Sequence, residues 1–174
     1  MNNKIPKIYV NKIDKNIDNN KKESEQKQVI GMSLIIFILG FIIAGLDFRY
    51  NWVELPNAVT IIATIIFVLS YMIYAEVLRE NSFLSRTICV QNNQKVIETG
   101  LYGIVRHPMY TATIFLFLSI PLILGSAISF IVFLIYPFII VKRLNNEENV
   151  LEQELAGYKE YKKKVKYKMI PFIW

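Results

Sequence analysis

The chain has 174 residues, of which 53% are hydrophobic and 20% are charged, and it carries a formal net charge of +6. The charged residues are unevenly distributed: three long stretches, residues 29–46, 58–75 and 108–141, contain none. Apolar stretches of about 18 residues or more indicate membrane-spanning helices, because a helix satisfies its own backbone polar groups in lipid. The sequence therefore excludes a soluble globular enzyme. A single cysteine, Cys89, and a single histidine exclude an internal disulfide and a Cys/His metal cluster, so no metal site is expected.

The first 28 residues form a polar segment with seven lysines and four acidic side chains. Its low hydrophobicity and scattered isoleucines are typical of a disordered tail that the membrane surface attracts only loosely. We therefore predict two parts of the chain, an N-terminal tail over residues 1–28 and a membrane domain over residues 29–174.

The uncharged stretch over residues 108–141 is too long for one span. Its 34 residues would form a helix of about 51 Å, whereas the hydrocarbon core of a bilayer is roughly 30 Å thick. Pro121 and the pair Gly125-Ser126 lie near its middle and are the residues that best allow a turn. We therefore predict about four transmembrane helices, over residues 29–46, 58–75, 109–124 and 127–143. Pro137 is expected to bend the fourth helix near its far end.

The basic residues predict that both termini lie on the same side of the membrane. Nineteen of the 20 lysines and arginines fall in the N-terminal segment, in the loop after the second span or in the C-terminal segment. Only Arg49 falls in the loop between the first two spans. Loops rich in Lys and Arg stay in the cytoplasm, so both termini are predicted to be cytoplasmic. The abundance of Asn, Lys and Ile is typical of AT-rich genomes and favours a bacterial inner (plasma) membrane.

A first cluster of reactive side chains precedes the third span, in the segment Gly100-Leu101-Tyr102-Gly103-Ile104-Val105-Arg106-His107-Pro108-Met109-Tyr110. Proline suits the first turn of a helix, so Pro108 predicts that Arg106 and His107 lie at a helix N-terminus, where free N–H groups favour an anion. Arg106 adds planar donors suited to a carboxylate or phosphate. The alternative is that Arg106 and His107 simply extend to lipid headgroups beside a helix-starting proline.

A second cluster follows the fourth span, at Lys142-Arg143-Leu144-Asn145-Asn146-Glu147-Glu148. Glu147 and Glu148 are suited to bind an ammonium group or ribose hydroxyls. The alternatives are an ion pair between Arg143 and Glu147, four residues apart on one helix face, and a solvated acidic surface at Glu148 and Glu152. Together, a cationic site and an acidic site match S-adenosylmethionine, which carries a carboxylate, an ammonium, a ribose diol and a sulfonium.

The order of these clusters resembles a known family. The matching elements are Gly100-x-Tyr102-x-x-x-Arg106-His107-Pro108-x-Tyr110, an apolar hairpin, Arg143-x-x-x-Glu147-Glu148-x-x-Leu151, Tyr158-x-x-Tyr161-x-x-x-Val165 and Pro171-Phe172-Ile173. They resemble the isoprenylcysteine carboxyl methyltransferase and phospholipid methyltransferase family over about residues 96–174. The resemblance implies an all-α integral membrane helical bundle whose C-terminal half builds a cytoplasmic cofactor pocket.

The resemblance also implies S-adenosylmethionine as the cofactor and a set of residues that bind it: Gly100, Tyr102, Arg106, His107, Pro108, Tyr110, Glu147, Glu148 and Tyr158. Arg106, His107 and Glu148 are the candidate catalytic residues within that set. The tail from Tyr158 onwards is expected to fold over the site.

The implied reaction is methyl transfer to a lipophilic acceptor, such as an isoprenylcysteine-like carboxylate or a lipid amine. Pro121 and Pro137 are expected to hold the third and fourth spans apart, so that the acceptor enters between them from the bilayer. Two alternatives stay open, an NADPH-dependent membrane sterol or enone reductase and a non-catalytic membrane protein whose basic tail, residues 158–168, binds lipid. Membrane lipids with anionic headgroups are expected partners and nucleic acid is not. The oligomeric state does not follow from the sequence.

Overall fold

The computed structural model describes residues 7–84, 88 and 90–174, so Lys4, Arg86 and Cys89 lie outside the described residues. The described chain is helical and contains no β-strand, which confirms the predicted all-α class. Its elements are α1 (Lys7–Tyr50), α2 (Asn57–Glu80), a 3₁₀ turn (Gly100–Gly103), α3 (Pro108–Ile123), α4 (Ala127–Phe133), α5 (Tyr136–Glu154) and α6 (Tyr158–Lys164).

Within the described residues, three helical segments are long and apolar enough to cross a membrane: Gln26–Tyr50, Asn57–Glu80 and Ala127–Glu154. The last of these consists of α4 and α5 together, and α3 is a shorter apolar helix. The four predicted spans therefore correspond to α1, α2, α3 and the α4–α5 pair. Large apolar side chains of α2 such as Ile61, Leu69 and Met72 are exposed, as expected of a surface that meets lipid.

Helix α1 is longer than the predicted first span, because it begins at Lys7 and not near residue 29. Residues 7–28 are described as part of this helix, and a disordered N-terminal tail over residues 1–28 stays a prediction. Helix growth is cooperative: once the apolar span is helical, each further residue gains a hydrogen bond, and Lys, Glu and Gln are good helix formers. The boundary between a tail and a membrane domain at residue 29 stays a prediction.

The hairpin between α3 and α4 forms at the predicted residues. Gly125 has φ +77°, a left-handed conformation that glycine adopts without steric cost. Ser126 caps α4 by accepting a hydrogen bond from the N–H of Ser129, and its hydroxyl donates to the buried carboxylate of Asp47 at 2.5 Å. Asp47 also accepts a hydrogen bond from the N–H of Val53. These contacts tie the C-terminal end of α1 to the hairpin.

Pro137 interrupts the fourth span, as predicted. It lies in the first turn of α5 and lacks the N–H that would bond to the carbonyl of Phe133, so α4 ends there. The break lies in mid-span and not near the far end, because α5 continues to Glu154.

The helices pack in two pairs joined by an aromatic cluster. Helix α2 packs along α3, whereas α1 packs against α4 and α5. The ring of Phe37 in α1 lies 4.7, 5.3 and 5.9 Å, between centroids, from the rings of Phe117, Phe133 and Tyr136, all edge-on. Edge-to-face aromatic contacts are favourable beyond the area that they bury.

The segment after α6 runs back along the start of α3. The N–H of Arg106 donates to the carbonyl of Tyr167 at 2.9 Å, and the N–H of His107 donates to the carbonyl of Lys168 at 2.8 Å. Met169 is buried in the apolar core between α3 and α5. The C-terminal segment is thus part of the folded bundle.

Gly40 permits a close contact between α1 and α4. A Cβ atom at this position would overlap the ring of Phe133, which is 1% exposed and has no room to move. We expect Gly40→Ala to destabilise the protein by about 1–3 kcal/mol. Gly45→Ala is the matched control, because a Cβ at Gly45 meets nothing within 4 Å. The measurement is thermal unfolding in detergent, and equal midpoints for the two variants would contradict the predicted overlap.

Candidate functional site

A cavity of about 90 Å³ lies where the loop over residues 81–97, the 3₁₀ turn, the start of α3 and the helices α5 and α6 meet. Six residues predicted to bind a ligand contribute to its wall: Tyr102, Arg106, His107, Tyr110, Glu147 and Tyr158. The predicted residues Gly100, Pro108 and Glu148 are not among the described residues that line it. The two polar clusters, far apart in the sequence, therefore meet at one cavity.

Arg106 and Glu148 form a buried ion pair beside this cavity. Nε of Arg106 lies 2.7 Å from Oε1 of Glu148, and only 3% and 4% of the two side chains are exposed. Nη1 of Arg106 donates to the carbonyls of Val165 and Lys166, each at 2.8 Å. The sequence analysis assigned Arg106 and Glu148 to separate parts of a ligand, whereas in the structure they bind each other.

Glu148 has three further basic side chains close to its carboxylate. Nε2 of His107 lies 3.3 Å from Oε1 of Glu148, and Nζ of Lys168 and of Lys162 lie 3.4 and 3.7 Å from Oε2. A buried carboxylate requires such partners, because an unpaired buried charge costs several kcal/mol. Glu148 therefore connects α5 to the start of α3, to α6 and to the C-terminal segment.

The backbone at the start of α3 is already hydrogen bonded within the chain. The N–H groups of Arg106 and His107 donate to carbonyls of the C-terminal segment, and the N–H of Tyr110 donates to the carbonyl of His107. Pro108 lies in the first turn of α3 as predicted, and it has no N–H to offer. An anion site at this helix end stays a prediction. An anion there would compete with the C-terminal segment for the N–H groups of Arg106 and His107.

Tyr110 links Glu147 to Arg143. Its hydroxyl donates to Oε2 of Glu147 and accepts a hydrogen bond from Nε of Arg143 at 3.0 Å. The imidazole of His107 stacks on the Tyr110 ring, with centroids 5.7 Å apart. The two residues whose spacing suggested an ion pair are thus bridged by a buried phenol.

Tyr158 places its hydroxyl group in the cavity wall without a hydrogen-bond partner among the described residues. The residue is 4% exposed. Burial raises the pKa of the Tyr158 phenol, so the hydroxyl stays protonated at neutral pH and is available as a donor. Buried hydroxyl groups are almost always hydrogen bonded, so this one is open to a partner that is not part of the described chain.

The 3₁₀ turn positions Tyr102 against the cavity. Gly100 has φ +55°, and the carboxylate of Glu80 occupies the space of a Cβ while accepting a hydrogen bond from the N–H of Leu101 at 3.1 Å. Gly100 therefore shapes the turn and does not line the cavity. The hydroxyl of Tyr102 accepts a hydrogen bond from Nδ2 of Asn81, and burial raises the pKa of Tyr102 to about 12.

One wall of the cavity comes from the loop between α2 and α3, which the sequence analysis did not single out. Its contributing residues are Asn81, Phe83, Leu84, Ile88, Gln94, Lys95, Val96 and Ile97. The signal in the sequence is a mixture of apolar and amide side chains in a loop directly after a span. That signal is weak, because apolar residues beside a span equally suit contact with lipid.

A second cavity, of about 500 Å³, lies between α1, α2, α3 and α5. Its wall is largely apolar, and Arg143 is the one charged residue among the described residues that line it. Leu84, Met109 and Tyr110 line both cavities. The two cavities therefore share a wall at the cytoplasmic end predicted for α3.

The second cavity reaches the lipid-facing surface between α1 and α2. Ile30 and Leu34 of α1 and Leu78 of α2 line it and are each at least 50% exposed. This cavity is not the expected path between the third and fourth spans, since Pro121 and Pro137 are not among its described lining residues, and that path stays a prediction. The helix pairing explains the difference: α2 packs on α3 and α1 packs on α4 and α5, which leaves α1 and α2 apart.

Glu148 and Glu147 are expected to differ in their effect on folding. Glu148→Gln removes the counter-charge of a buried guanidinium, so we expect a loss of about 3–5 kcal/mol. Glu147→Gln affects a half-buried residue bonded to a neutral phenol, so we expect a loss of roughly 1 kcal/mol. The measurement is chemical unfolding in detergent without ligand. Similar unfolding free energies for the two variants would show that the Arg106–Glu148 pair does not hold the fold.

A known protein family matches the part of the chain that contains most residues of the polar cavity. A family model described as the isoprenylcysteine carboxyl methyltransferase (ICMT) family matches residues 60–153, more than half of the chain. The matched range includes the loop over residues 81–97, both polar clusters and all but the last residue of α5. Tyr158 follows the matched range. A comparison with curated proteins gave no match.

Proposed function

This chain belongs to the isoprenylcysteine carboxyl methyltransferase family, and we propose that it transfers a methyl group from S-adenosylmethionine to a lipophilic acceptor in the membrane. The observation that carries the proposal is the meeting of two cavities at Met109 and Tyr110. One cavity is lined by ionisable side chains near the helix ends, and the other is apolar and reaches the lipid-facing surface. A water-soluble and a lipid-soluble ligand thus approach the same two residues from opposite sides.

The polar cavity offers groups that suit S-adenosylmethionine. The carboxylate of Glu147 suits an ammonium or a ribose diol, and the unpartnered hydroxyl of Tyr158 suits an acceptor atom of the ligand. Phe83 and Val96 offer apolar contact to a purine ring. When bound, the cofactor supplies a methyl group on a positively charged sulfur, and the carboxylate of Glu147 favours positive charge nearby.

Binding requires the loop over residues 81–97 to move. Pockets for ligands of this size usually measure about 300–1,000 Å³, whereas the cavity measures about 90 Å³. The described residues of this loop, 81–84, 88 and 90–97, form no regular helix, whereas the other walls are held by the ion pair and the C-terminal segment. We therefore propose that the described side chains of this wall, such as Phe83 and Val96, move aside to admit the cofactor.

We propose that Arg106, His107 and Glu148 act chiefly by fixing the shape of the site. The Arg106–Glu148 pair joins α3 to α5, and His107 supports the ring of Tyr110. Holding two reactants in line is worth roughly 7–11 kcal/mol. A rigid wall between the two cavities therefore serves the reaction by keeping donor and acceptor in line.

Arg143 favours a carboxylate acceptor over a lipid amine. Among the described residues that line the apolar cavity, Arg143 is the charged one. Its Nε donates to the hydroxyl of Tyr110 at the wall that the two cavities share. A guanidinium attracts a carboxylate and repels an ammonium group. A carboxylate is ionised at neutral pH and accepts a methyl group without a general base. We therefore propose an isoprenylcysteine-like carboxylate as the acceptor class.

The orientation proposed from the charge distribution fits this arrangement. If both termini are cytoplasmic, the polar cavity faces the cytoplasm, where S-adenosylmethionine is made, and the apolar cavity faces the bilayer. We propose the bacterial plasma membrane as the location.

Tyr158→Phe separates ligand binding from folding. Removing an unpartnered buried hydroxyl should leave the stability unchanged or raise it, whereas losing one hydrogen bond to the ligand should weaken binding of tritiated S-adenosylmethionine about 2- to 12-fold. Tyr161→Phe is the matched control, because its hydroxyl donates to the carbonyl of Tyr102 and its loss should lower the stability. Unchanged affinity in Tyr158→Phe would remove this residue from the site. Binding of NADPH in place of S-adenosylmethionine would overturn the proposed function in favour of a reductase.

The acceptor is tested with two isoprenoids that differ only in their head group, a carboxylate or an amine. We expect tritiated methyl transfer to the carboxylate to be about tenfold faster or more, because the amine meets the charge of Arg143. Short water-soluble carboxylates should react poorly, since they do not concentrate in the bilayer. Arg143→Gln should slow transfer to the isoprenoid carboxylate more than it weakens cofactor binding. Faster transfer to the amine or to a soluble carboxylate would contradict the acceptor assignment.

A further inference from the structure

The C-terminal segment over residues 159–174 carries a concentration of positive charge. It contains six lysines and one acidic residue, Glu160. Lys162 and Lys168 point inward to Glu148, whereas Lys159, Lys163 and Lys166 are exposed. The segment therefore presents cations to its surroundings, while Lys162 and Lys168 hold it against α5 and Lys164 pairs with Glu98.

The same segment ends in an apolar turn. The N–H groups of Met169 and Ile170 donate to the carbonyl of Trp174, and the N–H of Trp174 donates to the carbonyl of Ile170. Within this turn Phe172 and Ile173 are 87% and 77% exposed. Phe172 has φ +65°, a backbone conformation that is unfavourable for a non-glycine residue. Contact of the exposed side chains with an apolar medium would offset this unfavourable free energy.

The depth of the turn follows from its neighbour in the chain. Met169 packs with Tyr110, Ile140 and Leu144 between α3 and α5, and its carbonyl accepts a hydrogen bond from the hydroxyl of Thr111 at 2.7 Å. Thr111 lies in the first turns of α3, which is where an apolar span meets the headgroup region. Phe172 and Ile173, which follow Met169 closely in the chain, are therefore expected at the depth of the membrane interface, where aromatic residues are favoured.

We propose that residues 159–174 form a docking surface for the anionic lipids of the membrane leaflet next to α6. Phe172 and Ile173 enter the interface beside Met169, and Lys159, Lys163 and Lys166 meet the headgroups. Lysines at a membrane surface are attracted to anionic headgroups and not to zwitterionic ones. Because Arg106 and His107 bind the same segment through its carbonyls, lipid contact also steadies one wall of the polar cavity.

Tryptophan fluorescence tests the docking on the full-length protein. The sequence has two tryptophans, Trp174 in the turn and Trp52 in the loop at the opposite ends of α1 and α2. Trp52→Phe leaves Trp174 as the reporter, and the protein is reconstituted with brominated phosphatidylglycerol or brominated phosphatidylcholine at equal mole fraction. We expect both lipids to quench Trp174, with brominated phosphatidylglycerol enriched several-fold at low salt and less so at high salt.

Variants separate the two parts of the docking surface. Lys163→Gln with Lys166→Gln should lower the enrichment of brominated phosphatidylglycerol about fivefold or more, and Phe172→Ser with Ile173→Ser should reduce quenching by both lipids. Trp174→Phe is the matched control, because it leaves Trp52 as a reporter whose quenching the lysine variants should not change. Absence of quenching of Trp174, or equal quenching by the two lipids at low salt, would overturn the proposal. Neither result depends on cofactor binding, so the outcome is independent of the proposed methyl transfer.

Discussion

The buried ion pair between Arg106 and Glu148 holds together the part of the protein that bears the polar cavity. A guanidinium and a carboxylate removed from water require nearly complete pairing, since each leaves a penalty of several kcal/mol if it is left alone. Arg106 meets this requirement with Glu148 on α5 and with the carbonyls of Val165 and Lys166. The remaining oxygen of Glu148 is met by lysines of α6 and the C-terminal segment. One interaction thereby sets the positions of three separate parts of the chain.

The shared wall at Tyr110 depends on that arrangement. Once α5 is fixed against the start of α3, Arg143 and Glu147 reach the hydroxyl of Tyr110 from the sides of the two different cavities. An enzyme that joins a water-soluble donor to a lipid-soluble acceptor needs separate access for each and a single place of contact. The helix pairing supplies the access, because α1 and α2 are held by different partners and leave an opening between them. On the other side, the polar cavity is lined by described residues of the loop between α2 and α3.

The opposite end of the bundle is held by different means. The carboxylate of Asp47 is buried against Ser126, and Gly40 lets the ring of Phe133 reach the α1 backbone. These contacts join α1 to the α3–α4 hairpin without any residue of the polar cavity. The protein thus combines a tightly packed end that fixes the helices with a polar end in which charges and a loop build the site.

The sequence by itself determined the helical spans, the hairpin at Gly125 and six of the side chains that gather at the polar cavity. Hydropathy and the conformations of Gly and Pro are local properties, so they are readable without a fold. The motif around Arg106, His107 and Tyr110 carried the family resemblance for the same reason. Only the tertiary structure decided that Arg106 pairs with Glu148, that Gly100 shapes a turn and that the lipid-facing cavity lies between α1 and α2. Those features depend on which buried charges and which helices meet across long stretches of chain, and sequence spacing does not specify such meetings.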